Sequence, residues 1–231
     1  MKIIRNERII KRNNRIAGIG VLGGLASVVA SIIISMRYQD LIGWSYAILF
    51  IGFVFLQFGL YFMNRYGRRP RPDELLDLGL KGLDDRYTIY HYNSPVPHLL
   101  IGPAGVWILL PYFQNGKITF EKNRFRLRGG GFLAGYMRIF GQEGIGRPDL
   151  DSATEADAML KFFKKYLPEM DLPEINKLMV MTSDRIDIDV ENPSIPIVYA
   201  KKIKDFIRKS AKKKELKPDI IQSIRDVLPE N

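Results

Sequence analysis

The chain has 231 residues, a net charge of +10, no cysteine and two histidines, His91 and His98. Disulfides, thiolate nucleophiles, Cys-ligated zinc and multi-histidine metal sites are therefore excluded. Residues 1–71 hold eleven Lys/Arg against Glu7 and Asp40, while residues 72–231 hold 24 basic and 23 acidic residues, so the excess charge flanks apolar segments rather than marking a nucleic-acid surface.

Residues 1–15 form a basic N-terminal segment, and residues 16–64 read as a hairpin of two transmembrane helices. The 21 residues between Arg15 and Arg37 and the 24 between Asp40 and Arg65 carry no charge. As helices they span about 31 Å and about 36 Å, against a hydrocarbon core of about 30 Å. Only Arg37-Tyr38-Gln39-Asp40 separates them, so they run antiparallel, and the turn is too short for an outward-facing receptor. Ten Lys/Arg flank the open end and Arg37 alone sits in the turn, which places both termini in the cytoplasm of a cell membrane. Trp44 and Tyr46 on one side and Tyr61 and Tyr66 on the other suit interfacial belts. A signal peptide cleaved after Val28-Val29-Ala30 is the alternative; it leaves the second helix and the cytoplasmic domain in place. Gly23, Ser27, Ser31 and Ser35 fall at four-residue steps beside Gly20 and Gly24. Such a stripe packs either on the second helix of the same chain or in a homodimer through Gly23, Ser27 and Ser31.

Residues 65–72 are an Arg/Pro linker, and residues 73–231 form one cytoplasmic domain. Asp73–Leu83 reads as a helix with Leu75, Leu76, Leu80 and Leu83 inward. Strands follow at Tyr87–Tyr92, His98–Ile101 and Val106–Leu110, the last two joined by a turn at Gly102-Pro103-Ala104-Gly105. Lys117–Glu121 and Arg124–Arg128 alternate as a hairpin with one wet face. Residues 129–146 contain seven glycines but neither a dinucleotide-binding nor a P-loop pattern, which rules out nucleotide binding on that motif. Phe132, Leu133, Tyr136, Met137 and Phe140 recur there at helical spacing, either as a loop packed on the core or as a segment touching the membrane surface. A helix capped by Ser152 or Thr154 runs to Leu167, with Met159, Leu160, Phe163 and Tyr166 on its apolar side. Strands at Leu178–Met181, Ile186–Val190 and Ile195–Tyr199 precede helices at Lys201–Lys214 and Asp219–Leu228. This intermixing indicates an α/β or α+β sheet domain, read here as α/β.

Few residues in this domain suggest chemistry. His91 and His98 lie on separate strands without an acidic neighbour in sequence and read as structural or surface histidines. Asp84-Asp85 end a helix in a turn, and Asp184, Asp187 and Asp189 alternate with apolar residues as the solvent face of a strand. No Ser-His-Asp set is readable. Lys201, Lys202, Lys204, Arg208, Lys209, Lys212, Lys213 and Lys214 surround a narrow stripe of Ile203, Phe206, Ile207 and Ala211. They form either a solvated face or a contact for anionic lipid or nucleic acid.

The stretch His98-Leu-Leu-Ile-Gly-Pro-Ala-Gly-Val-Trp-Ile-Leu-Leu110, followed by Gly116-Lys-Ile118, resembles the nuclease-related domain (NERD) family of the PD-(D/E)xK nuclease superfamily. The resemblance extends more loosely from Asp73 to Leu228, and implies a restriction-endonuclease-like mixed sheet with flanking helices. In that family an Asp and a Glu hold a divalent cation and a Lys serves the attacking water. The corresponding positions here are Pro97, Leu110 and Tyr112, and a glutamine of the family falls near Asp151. Asp73 or Glu74 stands where the first helix of the family carries an acid. The resemblance thus implies a pseudonuclease with no catalytic residues, metal or cofactor, acting as an interaction or scaffold module with an unnamed protein partner at the bilayer. Its alternatives are a Mg²⁺-dependent nuclease with relocated carboxylates and a non-catalytic nucleic-acid binder.

Overall fold

The computed structural model describes residues 1–122, 124–129, 135 and 144–229. Phe132, Leu133, Tyr136, Met137 and Phe140 lie outside the described residues. The chain divides into two compact units, Glu7–Arg71 with Gly131–Gly144, and Met1–Asn6 with Pro72–Gly130 and Ile145–Asn231.

The first unit contains α1 (Glu7–Arg37) and α2 (Ile42–Phe62), joined by a tight turn around Gln39–Leu41. Both helices are long and apolar enough to cross a membrane. Helix α1 starts well before the apolar stretch, so most of the basic N-terminal segment is helical too. The helices meet along a seam of small residues. Ala17, Gly20, Gly24 and Ser31 are buried on α1, and Ser45, Gly52 and Gly59 are buried on α2 at seven-residue steps. Ser31 Oγ donates across the seam to the Ser45 carbonyl at 2.8 Å. A Cβ on Gly59 would stand 2.5 Å from the Val21 amide nitrogen, and one on Gly52 2.5 Å from Ser27 Cβ. Without a hydrophobic drive between helices in lipid, this close backbone approach is what holds such a pair together. The stripe of small residues is thus engaged with the second helix of the same chain. Leu22, Met36, Trp44 and Phe50 lie outside the seam and are strongly exposed.

Gly59→Leu should therefore weaken the hairpin by roughly 1–3 kcal/mol through overpacking against backbone that cannot yield. Gly43→Leu, where a Cβ meets nothing within 4 Å, should be neutral. Thermal denaturation of the detergent-solubilised chain checks this, and equal midpoints for the two variants would refute it.

The second unit is built on a six-stranded mixed sheet in the order β1-β2-β3-β4-β7-β9. Its strands are β1 (Lys2–Arg5), β2 (Thr88–His91), β3 (His98–Gly102), β4 (Gly105–Tyr112), β7 (Ile175–Met181) and β9 (Ile197–Tyr199). β2, β3 and β4 form an antiparallel meander; β1 runs parallel to β2, and β7 and β9 continue parallel to β4. A three-stranded sheet of β6 (Arg124–Arg128), β5 (Gly116–Glu121) and β8 (Ile186–Asp189) accompanies it.

Both faces of the larger sheet are covered, which is why β4 reads as an unbroken apolar run rather than an alternation. Val106, Ile108 and Leu110 enter one core with Met159 and Phe163 of α4 (Pro148–Tyr166), Ile221 and Ile224 of α6 (Pro218–Asp226), and Ile118 and Phe125 of the smaller sheet. Trp107 and Leu109 enter the other with Leu76 and Leu80 of α3 (Pro72–Leu80) and Ile203 and Ile207 of α5 (Ile203–Lys213).

Several boundaries differ from the sequence reading, for local reasons. Helix α4 begins at Pro148, whose fixed φ suits a first helical position. Ser152 and Thr154 are therefore inside it and donate back to the carbonyls of Asp149 and Leu150 instead of capping it. Tyr166 is exposed rather than on the apolar side. In α3, Leu75 is only half-buried, whereas Asp73 is fully buried on the inner side.

Candidate functional site

Of the positions where the family resemblance placed catalytic groups, Leu110 and Tyr112 share one face of the sheet. Leu110 is 6% exposed and sits in register with Met179 of β7. Tyr112, two residues on, shares that face and is half-buried; its carbonyl accepts the amide and hydroxyl of Thr182. Pro97 precedes β3, and its carbonyl accepts the Tyr92 amide at 2.8 Å. Asp151 is exposed in the first turn of α4. Nearby, Arg147 Nη2 lies 3.1 Å from Asp149, and this hydrogen bond holds the Asp149 carboxyl below its ordinary range.

The densest set of titratable groups lies on the opposite face. Parallel pairing sets Arg5 of β1 beside His91 of β2, and antiparallel pairing sets His91 beside His98 of β3. Helix α3 covers them with Asp73 and Asp77, one turn apart on the same side. Arg5 Nε lies 2.9 Å from Asp73 Oδ2, and the Arg5 guanidinium also bonds Asp77. Asp77 Oδ1 lies 2.9 Å from His91 Nε2, and His91 Nδ1 lies 2.8 Å from His98 Nδ1. His91 and Asp73 are completely buried, and His98 nearly so.

The bonding of this cluster constrains its protons. Two facing Nδ1 atoms share one hydrogen, so one ring donates and the other accepts. If His91 gives its Nε2 hydrogen to the Asp77 carboxylate, its neutral ring accepts from His98. The result is a continuous chain from His98 through His91 and Asp77 to Arg5 and Asp73, which ties β1 and α3 to the β2–β3 hairpin. Among the described residues no three His, Asp or Glu side chains converge in a way that would hold a metal ion. Asp73 and Asp151, two of the carboxylates considered for a relocated centre, lie on opposite sides of the sheet and cannot share one cation.

His91 and His98 have no acidic neighbour in the chain, but in space Asp77 reaches His91, which in turn bonds His98. Sequence reasoning missed Arg5 and Asp77 altogether. The available signal was the four-residue spacing of Asp73 and Asp77 around inward Leu76, which left a carboxylate on an apolar helix face.

The basic segment forms α5 and the turn before it. Ile203 and Ile207 are core residues. Lys201 pairs with Asp184 at 3.1 Å, and Arg208 donates to the Gly82 carbonyl at 2.6 Å. Lys204 is half-buried, while Lys202, Lys209, Lys212, Lys213 and Lys214 are exposed. Asp184, Asp187 and Asp189 are exposed, as the alternation implied.

No family model, curated protein or solved structure matches the chain.

Proposed function

We propose that the chain is a membrane-anchored, NERD-like domain that acts as an interaction or scaffold module rather than as a nuclease. The observation that carries this reading is Leu110. It stands where the family's metal-binding glutamate would be and is packed among Ile108, Met179 and their neighbours in an apolar core. A carboxylate pair cannot be recreated there without opening that core. The quoted motif also falls on β3, the Gly102–Gly105 turn and β4, in a mixed sheet flanked by helices. These features support a nuclease-like scaffold from which the reacting groups have gone. The two apolar helices supply the anchor, and the Lys/Arg count at the open end of the hairpin favours cytoplasmic termini.

Reporter fusions at residue 231 and within the 37–40 turn test the anchor. The expected result is a cytoplasmic reporter at the C-terminus and an exported one in the turn. An exported C-terminus would overturn both topology and compartment. The loss of catalysis is tested with Leu110 variants and a nuclease assay, as argued below.

A further inference from the structure

We infer that the outer face of the β5–β6 hairpin is a contact surface for anionic lipid headgroups. Strand β6 reads Arg124-Phe-Arg-Leu-Arg128. Phe125 is buried in the core and Leu127 packs against it, so Arg124, Arg126 and Arg128 stand together on the other side, about 6.8 Å apart along the strand. All three are exposed. Their partners across the ladder are Glu121, Thr119 and Lys117.

The charges on this face are segregated. Asp187 and Asp189 lie on β8 at one edge of the small sheet, and the arginines lie on β6 at the other. Lys117 is taken by Asp189 at 2.7 Å, and Arg128 by Glu121 at 2.7 Å. The Arg124 and Arg126 side chains make no ion pair or hydrogen bond among the described residues, and exposed Lys122 adds a third cation at the hairpin tip. Arg124 and Arg126, left uncompensated at a sheet edge, are complementary to a surface of phosphates or carboxylates.

A bilayer fits better than free nucleic acid, and here the inference rests on the membrane-anchored reading. Residues 72–231 carry nearly equal numbers of acidic and basic side chains, so attraction to a distant polyanion is weak. An anchored domain instead meets anionic headgroups at high effective concentration, where each nearby cation adds attraction. The lysines of α5 are the rival surface. They belong to the opposite face of the six-stranded sheet, so one flat bilayer cannot engage both.

Because the chain has no cysteine, Lys122→Cys and Lys209→Cys each give one labelling site. The full chain is reconstituted in nanodiscs that contain brominated lipid and are either zwitterionic or rich in phosphatidylserine. Label quenching at position 122 should be roughly twofold stronger in the anionic discs, and should fall as added salt shortens the Debye length. Arg124→Glu with Arg126→Glu, or both changed to Gln, should remove that increment. Quenching at 122 that ignores lipid charge or the arginine changes would overturn the inference. So would a charge-dependent signal at position 209 alone, or loss of the quenching increment at 122 on addition of a single-stranded oligonucleotide at low concentration. Failure of the chain to enter nanodiscs would instead strike the anchor itself, and is read separately from quenching.

Discussion

Asp77→Ala is expected to destabilise the α/β unit by about 3–5 kcal/mol, the cost of removing one partner from a buried ionic set. Asp77 receives Arg5 from β1 and His91 from β2, and His91 is fully buried. Its loss leaves the buried His91 Nε2 without its carboxylate and Arg5 paired with Asp73. It also breaks the link between α3 and the sheet. Asp77→Asn should cost less, since an amide oxygen still accepts one of the two donors. Asp84→Ala is the surface control. Arg86, through its side-chain hydrogen bond, holds the Asp84 carboxyl below its ordinary range, but both side chains are exposed and screened by solvent, so Asp84→Ala should leave stability nearly unchanged. Trp107 is buried, and its indole N–H donates to the Ala104 carbonyl at 2.8 Å. With Trp44→Phe it becomes the only tryptophan, and its fluorescence reports unfolding of this unit alone in denaturant titrations. Equal midpoints for Asp77→Ala and Asp84→Ala would show that the cluster contributes nothing.

Leu110→Glu should be similarly damaging and should not create a nuclease. The new carboxylate would stand in the apolar core beside Ile108 and Met179, at a cost of several kcal/mol. Leu110→Met conserves volume and should cost less than about 1.5 kcal/mol. The parent chain, purified at full length in detergent, should leave DNA and RNA intact with Mg²⁺ or Mn²⁺. Metal-dependent cleavage abolished by Asp73→Ala, Glu74→Ala or Asp151→Ala would reinstate the enzyme reading. Asp151→Ala is especially informative, because Asp151 is exposed and its removal should not disturb folding.

The sequence by itself determined the parts of this protein that depend on local pattern. Two uncharged stretches separated by four residues mark two helices long and apolar enough to cross a membrane, and α1 and α2 run over them. The β5–β6 hairpin was legible because its strands alternate about a two-residue turn. Strands β3 and β4 were legible as apolar runs around Gly102-Pro-Ala-Gly105, where Gly105 takes a positive φ of 103° at the turn. Leu110 was legible as the end of an apolar run, and the structure buries it at 6% exposure.

Tertiary structure decided what long-range pairing assembles. Lys2–Arg5 has strand-forming Ile3 and Ile4 but is too short for a period to mark it, and it pairs with the β2 edge, joined through Lys2 N to the Tyr87 carbonyl at 2.9 Å. That parallel pairing brings Arg5 to His91, and the β2–β3 register then brings His98. The buried cluster draws on residues 5, 73, 77, 91 and 98, so no window of sequence contains it. The same holds for the two faces of the sheet. Which carboxylates could ever meet follows from whether a side chain points toward α3 or α4, and strand pairing and helix docking set that rather than any motif.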